Sequence, residues 1–217
     1  MNPDFLYLRQ LEVGPMENFV YLIGNSKTRE AWVVDPAWQV DTILRHAEAD
    51  EMKIVGALIS HHHHDHTNGI PELLETLDCK IYVNKHDAEF VDVPHGNLVK
   101  TDHGDELRLG ELSLKFVHTP GHTPGSQCFH FQDHLASGDT LFIRGCGRCD
   151  FPGGSAEQMY YTLTQKLMRM NDSTLLLPGH NYAEKSTSTM GEEKKQNPFL
   201  KMAAHSLKDF LSLRMSR

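Results

Sequence analysis

The segment Ser60-His61-His62-His63-His64-Asp65-His66 follows directly on the apolar run Ile54-Val55-Gly56-Ala57-Leu58-Ile59. Together they constrain the fold more than any other stretch. An apolar run of this length predicts a buried strand over 54–59, with the His-x-His-x-Asp-His pattern in the turn at its end. Three imidazoles and one carboxylate delivered to one point are four ligand-type side chains for a cation such as zinc or iron. Strand-end loops held by a rigid sheet are where such ligands are usually placed. The histidine run is internal and is followed by Asp65-His66, unlike a purification tag.

The rest of the chain supplies strands and helices in alternation. Strand-type segments are read at 5–8, 18–23, 31–35, 81–83, around 106–118, 126–137 and 174–177. Asp41 opens a helical pattern through Ile43, Leu44 and Ala47, and Pro71 opens a short helix carrying Leu73, Leu74 and Leu77. A helix is expected over 85–91 and another from Ser155 to about Met170, with Met159, Leu163, Leu167 and Met170 near one face. Residues 197–217 read as one or two helices. Many strands are close enough in sequence for hairpins, which argues against a purely parallel sheet. No linker or internal repeat interrupts the 217 residues, so one domain over 1–217 with a short helical tail from about 197 is expected.

Bulk properties exclude several classes. The net charge is −8 and the longest basic run is Lys194-Lys195, which argues against a nucleic-acid partner. No run reaches membrane-spanning length and Met1-Asn2-Pro3-Asp4-Phe5 lacks a signal-peptide pattern. Cys79, Cys128, Cys146 and Cys149 are too few for a disulfide framework, so a reducing cytoplasm is expected. Cys146-Gly147-Arg148-Cys149 lies in a glycine-rich loop and not at the start of a helix, so its thiols read as bystanders. The sequence carries no signal for a particular oligomeric state.

Three more candidate ligands stand at strand ends in glycine-containing turns: His122 in His118-Thr119-Pro120-Gly121-His122, Asp139 in Ser137-Gly138-Asp139-Thr140, and His180 in Pro178-Gly179-His180. Not every histidine is a candidate. Among fifteen, His62 and His64 occupy the variable positions of the motif, and His46, His118, His130 and His134 read as surface or core residues. Asp35, Asp41, Asp102 and Asp105 read as turn and cap residues.

In order, His61-x-His63-x-Asp65-His66, His122, Asp139 and His180 resemble the signature of the metallo-β-lactamase-fold superfamily. The resemblance implies a mixed α/β (α+β) fold, a four-layer αββα sandwich with metals at one edge of two sheets. It also implies two divalent cations, zinc by preference with iron or manganese as alternatives. One would take His61, His63 and His122, the other Asp65, His66 and His180, with Asp139 bridging. Asp65 and Asp139 would then carry catalytic roles.

Gly138-Asp139-Thr140-Leu141-Phe142-Ile143-Arg144-Gly145-Cys146-Gly147-Arg148 and Gly191-Glu192-Glu193-Lys194-Lys195-Gln196-Asn197-Pro198-Phe199-Leu200 resemble segments of two branches. One is glyoxalase II, which hydrolyses acyl-glutathione thioesters; the other is the mononuclear-iron persulfide dioxygenases. Both imply a small anionic, glutathione-linked substrate, with Arg148, Tyr182 and Lys201 near the positions that hold it. Ile143-Arg144 and Asp150-Phe151 lean toward the dioxygenases. Pro178-Gly179-His180 leans toward the hydrolases, since dioxygenases commonly carry alanine before that histidine. The balance favours thioester hydrolysis, with lactone or β-lactam hydrolysis as a further alternative.

Overall fold

Along the strand Asn18–Asn25, Phe19, Tyr21 and Ile23 enter one hydrophobic core while Val20 and Leu22 enter another. A strand buried on both faces reads as a continuous apolar run, and its period of two sends neighbours to opposite layers. The computed structural model describes residues 4–215. One six-stranded sheet runs in spatial order β1 (Leu6–Val13), β2 (Asn18–Asn25), β3 (Glu30–Val34), β4 (Lys53–Leu58), β5 (Lys80–Asn84) and β6 (Leu98–Thr101). Its first three strands are antiparallel and β3 to β6 are parallel.

The second sheet contains β7 (Glu106–Leu109), β8 (Leu112–His118), β9 (Gln127–Phe131) and β10 (His134–Gly138) as an antiparallel run. A small hairpin, β11 (Leu141–Phe142) and β12 (Gly145–Cys146), stands apart from it. β13 (Leu175–Pro178) then returns parallel to β10, and β14 (Ser188–Thr189) closes the edge. The expectation of mixed rather than purely parallel sheets is met.

Helices cover both outer faces. α1 (Val40–Ala49) and α3 (Ile70–Thr76) pack Val40, Ile43, Ala47, Ile70 and Leu73 on the first sheet; α2 (His64–Thr67) is a single turn between them. α4 (Ala156–Gln165), α5 (Met190–Gln196), α6 (Pro198–His205) and α7 (Leu207–Met215) cover the second sheet through Met159, Leu163, Met190, Phe199 and Phe210. Between the sheets lie Tyr21, Phe116, Phe129 and Phe131, all fully buried, each contributing roughly 2 kcal/mol. Three apolar layers thus separate four structural ones, as the αββα expectation requires.

Two helical expectations are corrected. Residues 85–91 form turns, because Asn84 accepts from the amides of Asp87 and Ala88 through its carbonyl and from His86 through its side chain. That arrangement closes one turn without propagating it. The helix expected over 155–170 stops at Gln165; Leu167–Arg169 is a separate 3-10 turn. The strands β6, β11, β12 and β14 are too short to have shown a pattern. Among the described residues no helix is long and apolar enough to cross a membrane.

Candidate metal centre

The loops that end β4, β8, β10 and β13 converge at one edge of the sandwich. Backbone hydrogen bonds fix them there: Gln127 N–H donates to Ser60 O at 2.8 Å, Gly179 N–H to Gly138 O at 3.0 Å and Phe19 N–H to Gly179 O at 2.8 Å. Gly138 permits the approach. It adopts φ +47, and a Cβ there would lie 2.5 Å from the Ser60 side chain.

All seven expected ligands meet at this edge. His63 Nδ1 lies 3.0 Å from His61 Nε2 and 2.9 Å from His122 Nε2. His66 Nε2 lies 3.2 Å from His180 Nε2 and 3.3 Å from Asp65 Oδ2. Asp139 stands between the sets, with Oδ1 3.3 Å from His66 Nε2 and Oδ2 3.6 Å from His122 Nε2. His61, His63 and His122 form one group able to hold an ion, and Asp65, His66 and His180 another.

The tautomers show what these atoms face. His122 Nδ1 donates to Arg148 O at 2.6 Å and His180 Nδ1 to Met16 O at 2.9 Å. His66 Nδ1 donates to Asp35 Oδ2 at 3.0 Å. Ser60 Oγ gives its proton to Asp35 Oδ2 at 2.6 Å, so it accepts from His61 Nδ1 at 3.0 Å. An imidazole whose Nδ1 is the donor presents a lone pair at Nε2. Inward-facing lone pairs, with the buried Asp139 Oδ1 lacking a hydrogen-bond partner among the described residues, fit divalent cations. The residues present suit the metals that the motif implies.

Asp35 is corrected by this geometry. It is not a turn or cap residue but a buried anchor at φ 51, whose carboxylate holds the Ser60 amide and hydroxyl as well as His66. Sequence reasoning also missed Asn18, which donates to Asp65 Oδ2 at 2.9 Å and is itself held by Trp38 Nε1. Asp87, fully buried, accepts from the amides of His62 and Gly125 and from Thr123 Oγ1, joining the histidine loop to the His122 loop. None had a local signal, since each acts on a loop more than ten residues away. The three candidate groups draw on His61, His63, Asp65, His66, His122, Asp139 and His180.

Burial and neighbouring histidines hold His61 and His63 in the neutral form, His63 being pushed down to about 4. Burial lowers His122 as well. Around His66 the carboxylates of Asp139, Asp35 and Asp65 outweigh burial and favour positive charge. Burial works against the Asp139 carboxylate, yet His66 and His180 hold its pKa well below the usual range. His61, His63 and His122 are thus neutral donors beside an ionised Asp139, whereas a cation at His66 would have to displace a proton, as metal binding to a histidine does.

Residues 13–180 match the family model described as Metallo-beta-lactamase superfamily. The chain belongs to this superfamily. It is 30% identical over 185 residues to the probable polyketide biosynthesis zinc-dependent hydrolase BaeB of Bacillus velezensis, covering 85% of this chain and 82% of that one. It is 32% identical over 204 residues to the mitochondrial persulfide dioxygenase ETHE1 of Homo sapiens, covering 91% and 77%. The crystal structure of ETHE1 from Myxococcus xanthus superposes with a TM-score of 0.87 at 33% identity, covering 96% and 90%.

As in a metal-dependent enzyme of the metallo-beta-lactamase superfamily, the donors open into a pocket. Its volume is about 450 Å³, and its walls are Met16, Phe142, Cys146, Phe151 and Tyr182. Arg148 and Tyr182, both expected to contact substrate, line it. Arg148 is already bound to Asp150 at 2.7 and 3.0 Å and lies over the Phe151 ring, 4.4 Å from its centroid. Tyr182 stacks on His180 at 4.6 Å. Lys201, on α6, is exposed and lines neither this pocket nor the neighbouring groove, so the geometry does not bring it to the site. Cys146 is a pocket wall.

The segment Gly191–Leu200 acts through structure. Glu193, fully buried, accepts from Arg144 N–H at 2.8 Å. Asn197 Nδ2 donates to Phe142 O at 3.1 Å and Gly145 O at 3.0 Å. These bonds clamp the β11–β12 hairpin, whose Phe142 forms the pocket wall beside His180.

Proposed function

We propose that this enzyme hydrolyses a small thioester, an acyl-glutathione by preference, at a centre of two divalent cations, zinc by preference. The observation that carries the reading is the approach of Gly179 to Asp139. A Cβ at 179 would lie 2.6 Å from Asp139 Oδ1, the oxygen turned toward His66 and His180. Glycine lets Asp139 offer one oxygen to each ligand set. The alanine of the dioxygenase-type pattern would push the carboxylate off the second set.

His61, His63 and His122 would hold one cation; Asp65, His66 and His180 would hold the other, with Asp139 serving both. Such cations lower the pKa of water toward neutrality and polarise a carbonyl oxygen. Asp65, held by Asn18 at 2.9 Å, would orient the attacking water. Phe142, Phe151 and Met16 form apolar walls of the pocket in which the carbonyl would sit. A thiolate is a good leaving group, its conjugate acid having a pKa of about 8.5, so no strong general acid is required. Zinc dependence in the name of the Bacillus velezensis relative supports the choice of metal.

Elemental analysis of untagged protein purified without chelators tests the reading, followed by a thioester panel. About two zinc ions per chain and turnover of acyl-glutathiones are expected, and Asp139→Ala should abolish that turnover. One iron per chain with oxygen uptake on glutathione persulfide would overturn it. That second reading, a mononuclear-iron persulfide dioxygenase using His61, His122 and Asp139, is favoured by the likeness to the human and Myxococcus xanthus proteins.

A further inference from the structure

Asp65 and His66 stand on α2, a single helical turn, and so short a helix does not hold its own shape. The turn that follows β3 holds it. Asn68, just after α2, accepts the Trp38 amide on its Oδ1 at 2.7 Å, and Pro36 O accepts Gly69 N–H at 3.2 Å. From the same turn the Trp38 indole Nε1 donates to Asn18 Oδ1 at 2.9 Å. Asn18 Nδ2 in turn donates to Asp65 Oδ2 at 2.9 Å and to Asp65 O at 3.1 Å. The surroundings are shaped around the indole. Trp38 has φ 60, a left-handed conformation that a residue with a side chain keeps only where its neighbours enforce it. Gly14 makes room for the ring, since a Cβ there would overlap it.

The direction of these bonds matters. An indole N–H can only donate, so the oxygen of the Asn18 amide faces Trp38 and its nitrogen faces Asp65. Asn18 is buried, so without the indole its oxygen would lose that bond away from water. Asn18 also pairs with His180 in an isolated antiparallel bridge, flanked by Phe19 N–H donating to Gly179 O and Asn181 N–H donating to Glu17 O. Asp35, three residues before Trp38, accepts from His66 Nδ1 at 3.0 Å. One short turn thus reaches Asp65, His66 and His180. Asp35 also acts on the other group, through Ser60 to His61. The path from Trp38 through Asn18 instead ends on Asp65 and His180.

We infer that Trp38 is a positioning residue for the second cation. Its indole fixes Asn18 and, through it, Asp65. The affinity of the Asp65, His66 and His180 set therefore depends on Trp38, and that of the His61, His63 and His122 set does not. The inference rests on the two-cation reading and is independent of which substrate bond is cut.

Zinc titration of the metal-free full chain against a chromophoric chelator gives two stepwise affinities, and His180→Ala marks which step belongs to the second set. Trp38→Phe keeps an aromatic ring and loses the N–H; it should weaken that step about tenfold or more and leave the other unchanged. Gly14→Ala, which displaces the indole without altering it, should show the same selective loss. Asn18→Leu removes the donor to Asp65 and should weaken the same step. Trp38→Phe/Asn18→Leu should then lose no more than Asn18→Leu alone, because the two side chains act in series. A role in folding alone would weaken both steps together, and its losses would add in the double variant. Two zinc ions bound by Trp38→Phe with unchanged affinities, loss confined to the first set, equal loss at both steps, or additive losses would each overturn the inference and leave the two-cation reading standing. One zinc ion in the unaltered chain is the failure of that reading itself and removes the inference with it.

Discussion

Gly179 shows how much the centre depends on a missing atom. The separation of 2.6 Å between a Cβ at that position and Asp139 Oδ1 is too short for any real contact, so Gly179→Ala must displace the carboxylate. The displaced oxygen is the one shared with His66 and His180. Metal content should fall from about two ions per chain to about one, with His61, His63 and His122 still occupied. Unchanged content by elemental analysis would show that Asp139 does not serve the second set. Asp35 acts one step further out, aiming His66 and, through Ser60, His61. Asp35→Asn removes the charge that both depend on. Outer partners of this kind are worth about 10- to 100-fold in metal affinity, a loss that competition with a chromophoric chelator would detect. The seven candidate ligands were legible because each is a ligand-type residue in a turn at the end of a strand-type run. Asp35 was not, because a lone aspartate after a strand has the same local pattern whether it caps a turn or orients a histidine 31 residues away.

At the scale of elements, the sequence revealed what periodicity controls and hid what distant contacts control. The strand at 54–59 and the helix opened by Pro71 appear within a residue or two of their expected bounds. The turn at 85–91 defeated the pattern because Asn84 competes for its amides. The Gly191–Leu200 segment was recognisable by resemblance, but its work was not: Asn197 caps α6 through Phe199 N–H and Leu200 N–H while its amide nitrogen holds the hairpin. Asn197→Ala therefore removes a helix cap and two hydrogen bonds together. The expected destabilisation is about 2–3 kcal/mol by urea denaturation. Because Phe142 walls both the pocket and the groove, KM should rise by more than kcat falls in protein that remains folded. A purely structural role would instead lower the active fraction and leave KM unchanged.

Across the whole molecule the candidate ligands are divided between the sheets. His61, His63, Asp65 and His66 follow β4 of the first sheet; His122, Asp139 and His180 follow β8, β10 and β13 of the second. Each proposed cation would therefore cross-link the two halves of the sandwich at one edge, adding to the apolar layer of Tyr21, Phe116 and Phe129 between them. A ligand that binds only the folded state raises stability by mass action, by about 2.7 kcal/mol when present at a hundredfold excess over its dissociation constant. Chelation should lower Tm, and restoring metal should recover it. The loss should also be local. Hydrogen exchange should quicken first in residues 59–67, 119–126, 138–141 and 179–182, where the sheets meet at the centre. Amides of β5 and β7, which contribute no ligand, should keep their protection until global unfolding. If exchange rose equally throughout, the cations would be stabilising the fold without joining its two sheets, and the bridging role given to Asp139 would be wrong.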